Sequence, residues 1–236
     1  DCRKAAFLLG SLQPKIISFK ESFPLSTLVD ESLSFEIQFL YVKRDDLNRL
    51  QTQLYDSMRP LPSGVLLMRT ELPQSLFSEI AGANPSRNRG NNLPVETVNY
   101  PEALDFCKRV NFLLAVPVRL PTEKEFREAL GDLRYVNLDA ISWNAENAEG
   151  KTHPVGTKQA DAAGFHDLLG NVGEWISTGE DAKNALVMGG NVLTPVDRIA
   201  DVPAVLFAKA ERNRLNGFRI VIESTNEKKA SAPTQP

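Results

Sequence analysis

The chain has 236 residues, 42 % apolar and 24 % charged, with 30 acidic against 27 basic side chains and a net charge near −3. That length can bury a sizeable core, in one large domain or two small ones, and the absence of an overall positive field argues against general nucleic-acid binding. No apolar run approaches a bilayer-spanning helix, and a leader removed before residue 1 would leave both cytoplasmic and exported locations open.

In chain order, IISFKES (16–22) and SFEIQFLYVKR (34–44) read as strands, and RDDLNRLQTQLYDS as a short helix or an ordered excursion. SGVLLMRTE (63–71) is the next strand. Pro73 opens LPQSLFSEIAG, in which Leu76, Phe77 and Ile80 share a helical face before Gly82 stops it. ANPSRNRGNNLP (83–94) is a turn-rich loop. VETVNY (95–100) follows as a strand leading into PEALDFCKRVN, where Ala103, Leu104, Cys107 and Val110 form an apolar stripe that makes Cys107 a core thiol. In RLPTEKEFREAL, Thr122 and Glu125 have capping-box spacing, so Glu123 and Glu125 read as helix-start residues. Regular periodicity fades from Gly131 to Glu180. ALVMGGNVLTP, VPAVLFAKAERN and GFRIVIES then have strand or edge character. Residues 224–236 have almost nothing to bury and read as a disordered tail or linker after a single domain spanning 1–223. Cys2 and Cys107 make no close metal-binding pair, and one disulfide or two free thiols both remain open.

Several segments in this order resemble one family: 69–107 (RTELPQSLFSEIAGANPSRNRGNNLPVETVNYPEALDFC), RLPTEKEFREA (119–129), 143–175 ending in GFHDLLGNVGEW, VMGGNV (187–192) and NGFRIV (216–221). Together they resemble the formylglycine-generating enzyme, or sulfatase-modifying factor, domain over about residues 60–223. The resemblance implies an α+β fold, the formylglycine-generating-enzyme variant of the C-type-lectin-like fold, with a small antiparallel sheet core and much irregular chain. Trp143, Phe165, Trp175 and Phe218 stand at the family's aromatic positions, where they would pack.

Active members of that family carry a cysteine pair between the glycine-pair motif and the GFR motif. The pair binds copper and serves oxidation of a substrate thiol, which needs soft thiolate ligands. Here the interval from Val187 to Arg219 holds no cysteine. No copper and no formylglycine-generating activity are therefore expected, and no catalytic residue is assigned. The related iron enzymes use a histidine cluster, whereas this chain has only His153 and His166, neither matching the iron-binding pattern. No serine lies in a nucleophile elbow.

The family's GNVWEW motif contributes to a calcium site. Carried over, Asn171 and Glu174 would supply hard oxygen donors for Ca2+, with Gly173 standing where the family has tryptophan. The alternative is an Asn turn with a structural glutamate. For recognition, the candidates are Arg87 and Arg89 in the asparagine-rich loop, with Arg212, Asn213, Arg214 and Asn216 beside the region where active relatives hold substrate. Arginine can grip carboxylates bidentately. The expectation is a non-catalytic pseudoenzyme, a binding or scaffold domain recognising a protein or peptide, similar to modules of bacterial multidomain proteins. Two other readings are a divergent metal-dependent oxidoreductase or other enzyme gathering His153, His166, Asp167 and Glu174 in the family groove, and a structural subunit of a surface or secretion assembly.

Overall fold

The computed structural model describes residues 44–133, 136–179 and 182–223. The expected strand at 16–22, nearly all of the one at 34–44, Cys2 and the expected tail at 224–236 lie outside them. Two compact units divide the chain, one running to Asp56 and including Leu113–Ala115, the other formed by the remainder. In the first, the expected helix α1 spans Arg44–Asp56. Leu50 and Leu54, one turn apart, are buried, and the Gln51 side chain donates to the Leu113 carbonyl at 2.8 Å.

In chain order the second unit contains β1 (Met58–Pro60), β2 (Leu66–Met68), α2 (Gln74–Ala81), α3 (Tyr100–Leu114, its end entering the first unit), β3 (Val118–Arg119), α4 (Glu123–Leu130) and α5 (Leu138–Ile141). They are followed by β4 (Gly173–Trp175), β5 (Asn184–Met188), α6 (Val196–Ile199), β6 (Ala204–Ala208), β7 (Asn216–Gly217) and β8 (Val221–Ile222). The strands form two small sheets, ordered β1-β2-β8-β3 and β6-β5-β4-β7. The first is wholly antiparallel; in the second only the β4–β7 pair is parallel. The architecture is α+β without a closed barrel. Residues 216–222 leave the second sheet as β7 and enter the first as β8, so the intervening Phe218 and Arg219 are strung between sheets.

The helices follow their local signals. Gly82, at φ 77°, ends α2 with its N–H on the Ser78 carbonyl, a left-handed cap that glycine adopts without a Cβ penalty. Leu76, Phe77 and Ile80 are buried. Thr122 and Glu125 make the reciprocal capping box at the start of α4. Phe126, Ala129 and Leu130 then reach a core cluster with Phe165, Leu168, Ile176, Met188 and Val221. Phe77 stacks on Phe106, and Phe218 meets both edge-on, an aromatic arrangement that adds to burial.

Between Gly131 and Val172 the described chain holds only the four-residue α5 as regular structure. Side chains replace ladder hydrogen bonds there: Asn144 donates to Asp139 and accepts from the Glu146 amide, and Asp161 accepts from the Ala163 and Phe165 amides. The VETV segment departs from expectation, because 95–98 form no strand. Thr97 sits at φ 60°, which breaks an extended run, and the Glu96 side chain turns inward. Among the described residues no helix is long and apolar enough to cross a membrane.

Candidate functional site

The motif GFHDLLGNVGEW is positioned by close backbone approach. Gly170, at φ 85°, lies where a Cβ would fall 2.1 Å from the Trp143 carbonyl oxygen, and the Asn171 amide donates to that same oxygen at 2.8 Å. Asn171 is fully buried. Its Oδ1 accepts from the His153 amide at 2.9 Å, and its Nδ2 donates to Glu71 Oε2 at 2.6 Å and to the His153 carbonyl at 3.1 Å. The other Glu71 oxygen accepts from the Val172 amide at 2.9 Å.

Glu174 faces Arg219. Arg219 Nε and Nη2 donate to the two carboxylate oxygens, each at 2.6 Å. The remaining guanidinium hydrogens go to the carbonyls of Met68, Arg69 and His166, so all five donors of the fork are used. Glu71, Asp167 and Glu174 share the field of this one guanidinium. Burial first, then repulsion from Asp167 and Glu174, pushes the Glu71 carboxyl well above the usual range. Burial likewise raises Asp167 against the opposing Gly156 amide and Arg219.

These partners decide how the motif meets the implied ion. A calcium ion needs several free oxygens, but both Glu174 oxygens are held by a buried cation and Asn171 Oδ1 is held by a backbone amide. The donor set does not fit calcium. Gly173 has its own cause: an added Cβ would lie 2.6 Å from Val187 Cγ1, so Val187 fills the space that a larger residue would need.

His153, His166 and Glu174 lie within the electrostatic reach of Asp167, but their side-chain bonds go elsewhere, and Cys107 stands apart from the motif. Cys107 is buried and unbridged, and burial pushes its thiol far up, against thiolate formation. One such thiol does not fit a copper centre built on paired thiolates. The His153 ring stacks on Trp143 at 3.7 Å and its Nε2 contacts the Ala148 carbonyl; His166 Nδ1 contacts the Lys158 carbonyl. Among the described residues no group of three or more His, Cys, Asp or Glu side chains is arranged to hold a metal.

The arginine segments, by contrast, are brought together, and sequence reasoning missed the residues that do it. Glu96, 1 % exposed, accepts from the Arg87 and Asn88 amides at 2.5 and 2.8 Å, and the Thr97 hydroxyl donates to its second oxygen. The Thr97 amide donates to the Asn213 carbonyl at 3.1 Å, and its carbonyl accepts from Arg212 at 3.3 Å. Both loops are thereby fastened to the same dipeptide. Arg87, Arg89, Arg212 and Arg214 are exposed. Arg89 donates to the Asn84 carbonyl and Arg212 pairs with Glu102 at 2.5 Å. Asn213, partly exposed, accepts from the Leu215 amide of its own turn, and Asn216 is buried in β7, away from any surface ligand. The acidic signal for this arrangement, a lone Glu96 in an apparent strand, carries no local pattern.

The same chain segment leads back to β6, the outer strand of its sheet among the described residues. Val205 and Leu206 are 50 % and 64 % exposed. Flanking bonds from Gly189 N to Pro203 O and from Lys209 N to Lys183 O fix the antiparallel phase, so 205 and 207 bond to β5 while the amides of 204 and 206 face outward.

Residues 34–224 match the Sulfatase-modifying factor enzyme 1-like domain family. No curated protein matches the chain. Among solved structures, Treponema denticola variable protein 1 aligns with a TM-score of 0.61 and 22 % identity, over 68 % of this chain and 84 % of that chain. PvdO from Pseudomonas aeruginosa gives 0.57 and 16 %, over 68 % and 80 %, and CarF gives 0.56 and 18 %, over 68 % and 87 %. At such identities the likeness is one of fold. The match of 34–224 takes in both sheets, the buried Glu174–Arg219 pair and both arginine loops, and the chain belongs to the sulfatase-modifying factor enzyme 1-like domain family.

Proposed function

We propose that this domain is a non-catalytic binding module that recognises an extended, acidic segment of a protein or peptide. The observation that carries the reading is the fastening of two arginine loops, 87–89 and 212–214, to Glu96–Thr97. A bare arginine loop pays side-chain and backbone entropy when it grips a ligand, and here the backbone share is already spent. β6 supports the same reading, because its outward amides can accept an added strand and Arg212 and Arg214 follow it directly. Lost thiol chemistry is consistent with it, since Cys107 is a core residue and the Val187–Arg219 interval has no cysteine.

The test is an array of extended peptides that vary in charge, probed with the purified domain. Acidic sequences should bind, and Arg212→Glu with Arg214→Glu should abolish binding while leaving the thermal midpoint within a few degrees. Equal binding of neutral and basic sequences would contradict the proposal. Dimerisation through β6 without peptide binding would also contradict it, in favour of the architectural reading.

A further inference from the structure

The open edge of β6 differs from one end to the other. Its ladder with β5 covers the five residues Ala204–Ala208. Before it, Val202 at φ 51° turns the chain away, and at its far end the Ala208 carbonyl is taken by the Glu211 amide at 2.9 Å. Among the described residues this leaves the amides of Ala204, Leu206 and Ala208, with the carbonyls of Ala204 and Leu206, to an added strand.

Side chains alternate across this row. Phe207 meets Trp175 edge-on, so Val205 shares the packed face with it and is nevertheless half-exposed. Leu206 points to the other face, paired with Leu186 of β5, and is more exposed still; its same-face neighbours along β6 are only Ala204 and Ala208. Each face therefore leaves one apolar side chain partly uncovered near the middle of the strand, and the charges sit at the ends. At the Ala208 end, Lys183 bonds to Lys209 across the ladder and the exposed Arg212 and Arg214 follow, so among the described residues cations outnumber carboxylates with Glu102 and Glu211 included. At the Ala204 end, the exposed Asp197 and Asp201 outnumber Arg198.

Resting on the binding-module reading above, we propose that β6 takes its peptide ligand in one orientation: antiparallel, with acidic residues first in the ligand sequence and set at the Ala208 end, then a consecutive apolar pair opposite Leu206 and Val205. Antiparallel pairing is the more stable per residue and is the one β6 already makes with β5. The ligand's two apolar residues point to opposite faces, so each gains a cross-strand partner, Leu206 on one face and Val205 on the other. Acidic residues placed first run on toward Arg212 and Arg214, whereas acidic residues placed last meet Asp201 and Asp197, a like-charge contact that works against the wrong order. The ligand class is thus narrower than an acidic peptide, because the order of its residues matters as well as its charge.

The experiment is fluorescence anisotropy of the purified full chain with two labelled, end-capped peptides, Asp-Glu-Asp-Thr-Ile-Val-Thr and its reversal Thr-Val-Ile-Thr-Asp-Glu-Asp, which share composition and charge. The first should bind about tenfold more tightly, since reversal loses the charge match and the apolar pairs together. Leu206→Thr, at an exposed strand position, should keep the wild-type thermal midpoint and weaken the first peptide by about threefold or more. Equal affinities, tighter binding of the reversal, failure of both peptides where other acidic sequences bind, or wild-type affinity in the folded Leu206→Thr variant would overturn the orientation and leave acidic recognition standing. Failure of every acidic peptide would overturn the binding-module reading and this proposal with it. Self-association of the free chain in sedimentation, abolished by Leu206→Thr and not displaced by the first peptide, would also overturn it and assign the edge to a second copy.

Discussion

Arg219 and Glu174 meet as a two-bonded fork, 2.6 Å at each contact, with both side chains excluded from solvent. The pair stands between β4 of one sheet and the β7–β8 connection to the other, so it ties the halves of the larger unit through side chains rather than strand pairing. Removing one partner strands a buried charge, which costs about 3–5 kcal/mol. Arg219→Met should lower stability by that amount in urea unfolding. Arg219→Lys should fail to restore it, because an ammonium cannot reproduce the fork. Calcium and a chelator should leave the wild-type midpoint equal; calcium-specific stabilisation would show that the motif holds the ion after all.

Gly173 and Val187 make a second, separable prediction. Gly173→Ala forces a Cβ against Val187 Cγ1 and should cost about 1–3 kcal/mol, as overpacking does. Adding Val187→Ala should recover part of that loss, a coupling that a double-mutant cycle reads directly. Strictly additive costs would mean that the glycine is required for another reason.

Two buried glutamates should shape the pH profile with opposite signs. Burial disfavours the charge on Glu125, but hydrogen bonds from Arg119 and Thr122 outweigh it and hold the carboxyl down at about 2. Its contribution is therefore full above the ordinary glutamate value of about 4.3 and is lost as pH falls toward 2. Glu71 is displaced upward, so its contribution is full below about 4.3 and is lost as pH rises through its folded value. Thermal midpoints measured across pH should show Glu125→Gln flattening the acid limb and Glu71→Gln flattening the limb above it. For Glu71→Gln the slope is the diagnostic, because the new amide also faces Asn171 Nδ2. An unchanged slope above pH 5 would contradict the Glu71 assignment.

What could be read from the sequence was what is decided within a few residues. Thr122 and Glu125 satisfy each other's backbone across one turn, and Leu76, Phe77, Ile80 and Gly82 specify a helix and its end, so α4 and α2 were legible. The family segments carried the fold class, whose small sheets have strands too short to announce themselves. Side chains whose partners lie far along the chain were not legible. Asn171 looks like a turn residue or an ion ligand until Glu71, one hundred positions earlier, is seen to hold its amide. Glu174 looks like a free carboxylate until Arg219 arrives with β8. Glu96 read as one residue of a strand, whereas its carboxylate caps the amides of the neighbouring loop.

The central claim, that β6 and the adjoining arginines form the recognition face, is tested most directly by amide hydrogen exchange of the full chain with its tightest-binding acidic peptide from the array. The outward amides of Ala204 and Leu206 should slow on binding, while Val205 and Phe207, already bonded to β5, should change little. Protection confined to another surface, with Ala204 and Leu206 exchanging as in the free protein, would contradict the account.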